Sequence, residues 1–251
     1  MIILKSPREL KIMARAGKIT AQAHSVVKDA IRQGISTKEL DKLVEAFLLK
    51  AGAKPAFKGY NGFPASICSS INNQVVHGIP SEKVILREGD ILSVDIGAIV
   101  DGYMGDAAVT YPVGKVSQQA AQLIDVTQQA LMAGIGKAVS GNRLSDISAA
   151  VQQHAEVHGF SVVRDYVGHG IGQQMHEEPQ IPNFGRPGFG PRLSAGMVFA
   201  IEPMVNAGSY HVKTLADGWT VVTKDGELSA HFEHTVALTS EGPWILTSLD
   251  Q

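Results

Sequence analysis

The 251-residue chain has one cysteine, few aromatic residues (6%) and a net charge of only −2. A single cysteine, Cys68, excludes an internal disulfide and fits a reducing cytoplasm; an isolated cysteine of this kind reads as buried filler before it reads as a nucleophile. The balance of charge, without clustered lysine and arginine, excludes nucleic acid as the main ligand, because phosphate binding needs such clusters. No apolar run approaches the length of a membrane span. The opening MIILKSPREL places only a few apolar residues before Ser6-Pro7 and the charges of Arg8 and Glu9, so neither a signal peptide nor an anchor is expected. What remains, at 44% hydrophobic content, is a globular chain long enough for one large core or for two halves sharing one.

The most informative stretch is 91–111. Its β-branched and apolar residues flank Asp101-Gly102, a pair that supplies the positive φ angles of a tight hairpin turn. A turn centred there sets Asp95 opposite Ala108 and Asp106 opposite Gly97. The two-residue period of a strand then puts both carboxylates on one face. Flanked by Val94 and Ile96, Asp95 is costly to desolvate, and a second like charge raises the cost unless a cation or a shared proton compensates. A divalent metal is the simplest compensation. Taken alone, the hairpin has a plainer account, since short polar residues commonly mark strand ends.

Upstream, Ser6 with Glu9 and Ser36 with Glu39 form two capping boxes. The first opens a helix whose apolar or small face runs through Leu10, Met13, Gly17, Thr20, Val27 and Ile31 to Gly34. The second opens a helix with a stripe of Leu40, Leu43, Val44, Phe47 and Leu48, closed by Gly52. A packed loop over 53–64 leads to strands at 67–71 and 75–80, the latter stopping at its proline. The pattern then begins again, with helices over 117–139 and 145–158 and a strand over 161–163. Gly196 precedes an apolar run ending in Glu202, as Gly89 precedes one ending in Asp95. We read this as a weak internal duplication: one catalytic domain over 1–251, with α+β halves at about 1–114 and 115–251 whose acids meet at the join.

Three further ionisable residues are conspicuous: His169 between glycines, Glu202 at the end of its apolar run, and Glu233 in a β-favouring stretch. Each has a plain reading as a turn or outward strand residue. Together Asp95, Asp106, His169, Glu202 and Glu233 supply four carboxylates and one imidazole without a thiolate. Such a set is wrong for structural zinc and suits two hydrolytic divalent ions bridged by carboxylates and water. His77 and His176, on loops beside strand ends, are placed to donate to a developing oxyanion or to position a scissile amide. His24, His154, His158 and His211 are expected to face solvent, whereas His231 and His234 are undecided neighbours of Glu233.

Val76-His77-Gly78-Ile79-Pro80, Asp95-Ile-Gly, Asp101-Gly-Tyr-Met-Gly-Asp106, Gly168-His-Gly-Ile-Gly172, His176-Glu-Glu-Pro179, Ala200-Ile-Glu-Pro203 and Glu233-His-Thr-Val236 follow one another along the chain. This ordered set resembles the type I methionine aminopeptidases, and the likeness covers essentially the whole chain. It implies the α+β pita-bread fold of the creatinase and aminopeptidase type, two pseudosymmetric halves with a central antiparallel sheet flanked by helices. It further implies Asp95 on one metal, His169 and Glu202 on the other, and Asp106 and Glu233 bridging. The metals would be two divalent ions: cobalt, manganese, iron or zinc.

The implied activity is removal of the N-terminal methionine from nascent chains, with Glu202 as general base and His77 and His176 orienting the scissile bond. The implied methionine pocket is lined by Phe57, Tyr60, Phe63, Cys68, Met175 and Trp219. Phe63 and Met175 stand where the family has tyrosine and a bulky aromatic, which bears on pocket shape and leaves the ligands untouched. Asn72 and Ser229 fall where some relatives hold a monovalent cation. The implied setting is a cytoplasmic monomer that meets nascent N-termini in transient contact with the ribosome, without specific nucleic-acid or membrane binding. Two alternatives share the fold. Proline-specific aminopeptidases such as prolidase carry an extra N-terminal domain and different residues after the last ligand, and a metal-free peptide-binding module would not need all five ligands.

Overall fold

The computed structural model describes residues 1–250. Helices α1 (Pro7–Ala30) and α2 (Thr37–Lys50) both begin at the expected capping boxes: Ser6 and Ser36 each accept from the backbone N–H of the glutamate three residues on, which accepts in return from the serine N–H. The centre of the molecule is a nine-stranded antiparallel sheet. Its middle is the hairpin of Ile91–Val100 and Tyr103–Pro112, with Asp101 at φ 48° and Gly102 at φ 81° in the turn and Asp95 paired to Ala108, Asp106 to Gly97. Outward from the second hairpin strand come Glu233–Thr239, Val198–Ile201, Gly168–Gly170 and, at the edge, Glu177–Ile181.

The sheet is covered by helices. Leu40, Val44 and Leu48 of α2 share one buried cluster with Val94 and Ile96 of the hairpin. Leu131 of α3 (Gln118–Ile135) and Ile147 of α4 (Leu144–Val157) share another with Phe199 and Val236. Each such side chain contributes roughly 1.5–3 kcal/mol on burial. α1 lies so close to the hairpin that a Cβ on Gly105 would sit 2.5 Å from the backbone nitrogen of Gly17; only glycine admits that approach.

Several elements differ from the sequence reading. Leu43 is exposed (44%), so the α2 stripe is narrower than drawn. The strand expected over 75–80 is Gln74–Val76, because His77 adopts φ 60° and ends it. α3 stops at Ile135, ahead of the expected 139, and Gly136 follows as its cap. α4 starts one residue early, where the Asp146 carboxylate accepts from the Arg143 N–H at 2.8 Å. His24 does not face solvent: it is buried, with Nε2 2.9 Å from the Ala107 carbonyl and Nδ1 3.0 Å from the Tyr111 hydroxyl. Burial without a counter-charge lowers its pKa to about 4 and keeps it neutral. No helix among the described residues is long and apolar enough to cross a membrane.

Candidate metal centre

The register of the central strands brings the five expected ligands into two adjacent rows on one face. Asp95 and Glu233 both pair with Ala108, from either side, and form the first row. His234 pairs with Ile201, so one further step sets Glu202 beside Glu233 at the end of that row. The second row runs Gly97, Asp106, Thr235, Ala200 and His169. Besides Thr235, the other positions in these rows are small, Gly97, Ala108 and Ala200, so the face is a recess and not a packed layer. Ligand atoms of Asp106, His169 and Glu233 lie within 4.8 Å of one another, and His169 Nε2 is 3.5 Å from Glu202 Oε1.

Two threonines tie the strands at this place. Thr235 Oγ1 accepts from the Asp106 N–H (2.9 Å) and donates to the Asp106 carbonyl (2.8 Å). Thr110 Oγ1 does the same to His231, accepting at 2.9 Å and donating at 2.8 Å. The hydroxyls thus stand in for ladder bonds where the strands part around the recess.

The acids are not balanced from within. Asp106 and Glu233 are buried, at 3% and 2% exposure, and Glu202 is nearly so. Asp95 Oδ1, Asp106 Oδ1 and Glu233 Oε1 are sealed from solvent without any hydrogen-bond partner. Desolvation pushes all four carboxyls up. Asp95 and Glu233 are driven further by neighbouring acids, Glu202 by Asp106, and Asp106 itself reaches about 7. Burial likewise lowers His169 to about 4, which leaves its imidazole neutral and able to ligate. Buried oxygen atoms with unmet acceptor capacity, together with one neutral ring nitrogen, fit hard divalent cations and leave no role for thiolate-bound zinc.

The recess opens into a cavity of about 230 Å³. All five expected ligands line it, and so do His77, His176 and the six residues expected to form the side-chain pocket: Phe57, Tyr60, Phe63, Cys68, Met175 and Trp219. Phe63 meets Trp219 edge-on, with ring centroids 5.1 Å apart. A Cβ on Gly97 would lie 2.9 Å from Phe57 and 3.2 Å from Met175, so glycine there keeps the pocket open. His176 Nδ1 is 2.7 Å from the Tyr60 hydroxyl. Burial lowers His77 to about 4 and moves His176 in the same direction, so both are neutral near pH 7. A larger open groove of about 840 Å³ beside α4 shares none of these residues. Asn72 and Ser229 do meet, through the Ser229 N–H and the Asn72 carbonyl at 2.9 Å.

Three residues of the cavity region were not anticipated. Asn61 lines the cavity within a Gly-rich turn that carries no sequence signal of its own. Tyr166 packs edge-on against His77. His231 Nε2 is buried, without a hydrogen bond and 3.7 Å from Glu202 Oε2; its place two residues before Glu233, on the same face of that segment, was the available clue.

Residues 11–240 match metallopeptidase family M24. The chain is 59% identical over 247 residues to methionine aminopeptidase 1 of Bacillus subtilis and 56% identical over 247 residues to the methionine aminopeptidase of Clostridium acetobutylicum. Each alignment covers 98% of this chain and 99% of the relative. The crystal structure of the Thermotoga maritima methionine aminopeptidase superposes with a TM-score of 0.97 at 47% identity, covering 99% of this chain and all of that one.

Proposed function

The chain belongs to metallopeptidase family M24 and has its pita-bread fold, and from that premise we propose that it hydrolyses the first peptide bond of chains that begin with methionine. The observation that carries the reading is the convergence of four uncompensated carboxylates and one neutral imidazole on a cavity whose other wall is apolar. Two divalent cations would be held at this site, by Asp95 and by His169 with Glu202, and Asp106 and Glu233 would be shared between them. Bound there, they would make a water nucleophilic near neutral pH and hold the free α-amine of the substrate.

Glu202 takes the proton of the attacking water and passes it to the leaving amine as the carbon–nitrogen bond breaks. His231, neutral and 3.7 Å away, adds no competing charge beside it. His77 and His176 orient the carbonyl and steady the charge that develops on its oxygen. Were the Tyr60 hydroxyl the donor in its 2.7 Å contact with Nδ1 of His176, the ring's Nε2 would carry the proton for that task. Phe57, Phe63, Met175 and Trp219 offer a polarisable apolar sleeve suited to a thioether. The substrates in the cell are nascent N-termini, met in transient contact with the ribosome. A single cysteine suits a reducing cytoplasm, where the chain would act as a monomer.

Reconstitution with each candidate metal and incubation with Met-Ala-Ser, Leu-Ala-Ser and Ala-Pro-Ser tests the reading. Free methionine from the first peptide alone is expected. Cleavage of the proline peptide would instead identify a proline-specific enzyme. A chain that binds peptides yet neither takes up metal nor turns over would be a binding module.

A further inference from the structure

The residue after His176 belongs to a buried ion pair that the chemistry above does not use. Lys5 Nζ meets Glu177 Oε2 at 2.5 Å, and the two side chains are only 3% and 7% exposed. The other oxygen of the same carboxylate, Oε1, accepts from the backbone N–H groups of Gln173 (3.0 Å) and Gln174 (3.3 Å). One glutamate therefore closes the turn over 172–176 that carries Met175 and His176 into the cavity.

Gly172 is shaped to this pair. A Cβ there would fall 2.5 Å from Glu177 Oε1 and 2.8 Å from Lys5 Nζ, although the backbone of Gly172 does not adopt the positive φ that would otherwise call for glycine. The ammonium is held in turn. It donates to the Ile3 carbonyl at 3.2 Å, while the Lys5 N–H donates to the Gly196 carbonyl at 2.7 Å, at the start of the segment that ends in Glu202. A buried ion pair is a poor device for stability alone, since apolar residues of similar volume commonly do as well. It does fix geometry, because ammonium, carboxylate and two amides must all be placed together.

We propose that Lys5, acting through Glu177, is a positioning residue for the peptidase reaction: it sets the 172–176 turn and so the places of His176 and Met175 against the substrate. This rests on the reading of the cavity as the methionine site. The segment before α1, whose Met1, Ile3 and Leu4 are exposed, thereby becomes part of the active-site framework.

The test compares metal-loaded wild type with Lys5→Met, Glu177→Gln and the double variant Lys5→Met/Glu177→Leu on Met-Ala-Ser. Turnover by the wild type establishes the methionine-site reading independently of the variants. Both single variants should bind metal at wild-type stoichiometry, exchange the Gln173 and Gln174 amides faster, and lose on the order of tenfold to a hundredfold in kcat. The double variant should regain thermal stability without regaining kcat, because the two amides still lack their acceptor. A kcat within about twofold of wild type in either folded single variant, or a kcat in the double variant that returns in step with Tm, overturns the proposal.

Discussion

Asp41 and Asp106 are both buried aspartates, at 1% and 3% exposure, yet they are opposite cases. Asp41 is answered from within: its Oδ1 accepts from the Ser66 and Ile67 N–H groups at 2.8 and 3.2 Å, and Lys38 donates to its Oδ2 at 2.6 Å. Asp106 has a carboxylate oxygen without any partner and three other acids around it. The first acid is structural, joining α2 to the strand at Ile67–Ile71. The second makes sense only with something the chain does not itself provide. Burial alone does not mark a site; burial without an internal answer does.

Substitution separates the two most sharply. Asp106→Asn should lower kcat at least about a thousandfold, the loss of several kcal/mol of metal-borne charge stabilisation, while circular dichroism and the metal-free Tm stay at or above wild type. A variant with undiminished turnover would erase the distinction. Asp41→Asn should do the reverse: about 1.5–3 kcal/mol less stable by urea titration, with kcat and metal content unchanged.

A smaller effect lies in pH. The Asp106 carboxyl at about 7 stands above its ordinary value near 3.8, so between those values the folded, metal-free chain holds a proton that the unfolded chain has released. The contribution of this carboxyl to stability therefore falls as pH rises through that window, opposite in sign to that of the buried neutral histidines. The metal-free Tm of the wild type, taken relative to that of Asp106→Asn so that the opposite contribution of the neutral buried histidines cancels, should decline from pH 5 to 7, and saturating divalent metal should remove that difference. A difference between wild type and Asp106→Asn that stays constant or rises over the same range would show this acid to be compensated after all.

The sequence made the site legible because four of its proposed ligands sit on strands and the fifth, Glu202, directly follows one. Asp101-Gly102 determines one register, alternation determines the face, and Asp95 and Asp106 follow. The helix starts were equally readable, since each capping box is a local contract between a serine and the glutamate three residues later. What escaped depends on distant partners. Asp41 looks like any polar residue of an amphipathic helix until the loop at Ser66 arrives over it. His24 continued the α1 stripe at the spacing of Thr20 and Val27, and its polarity concealed that its partners come from Ala107 and Tyr111. The strand after Gln74 ended early because His77 takes a left-handed backbone, which no neighbour announces. Lys5 reads as one more surface charge ahead of a helix, because Glu177 is far away in sequence.

The threonine hydroxyls that join Tyr103–Pro112 to Ser229–His231 and Glu233–Thr239 have a consequence for how this enzyme tolerates change. At Thr110 and Thr235, one small group is both donor and acceptor to another residue's main chain, so valine, its equal in shape, could satisfy neither partner. The seam is stitched by these side chains on either side of a short ladder, Glu233 with Ala108 and His234 with Ala107. A single methyl-for-hydroxyl exchange could unpick it, displacing Asp106 or His231 while leaving every coordinating atom in the gene's spelling intact.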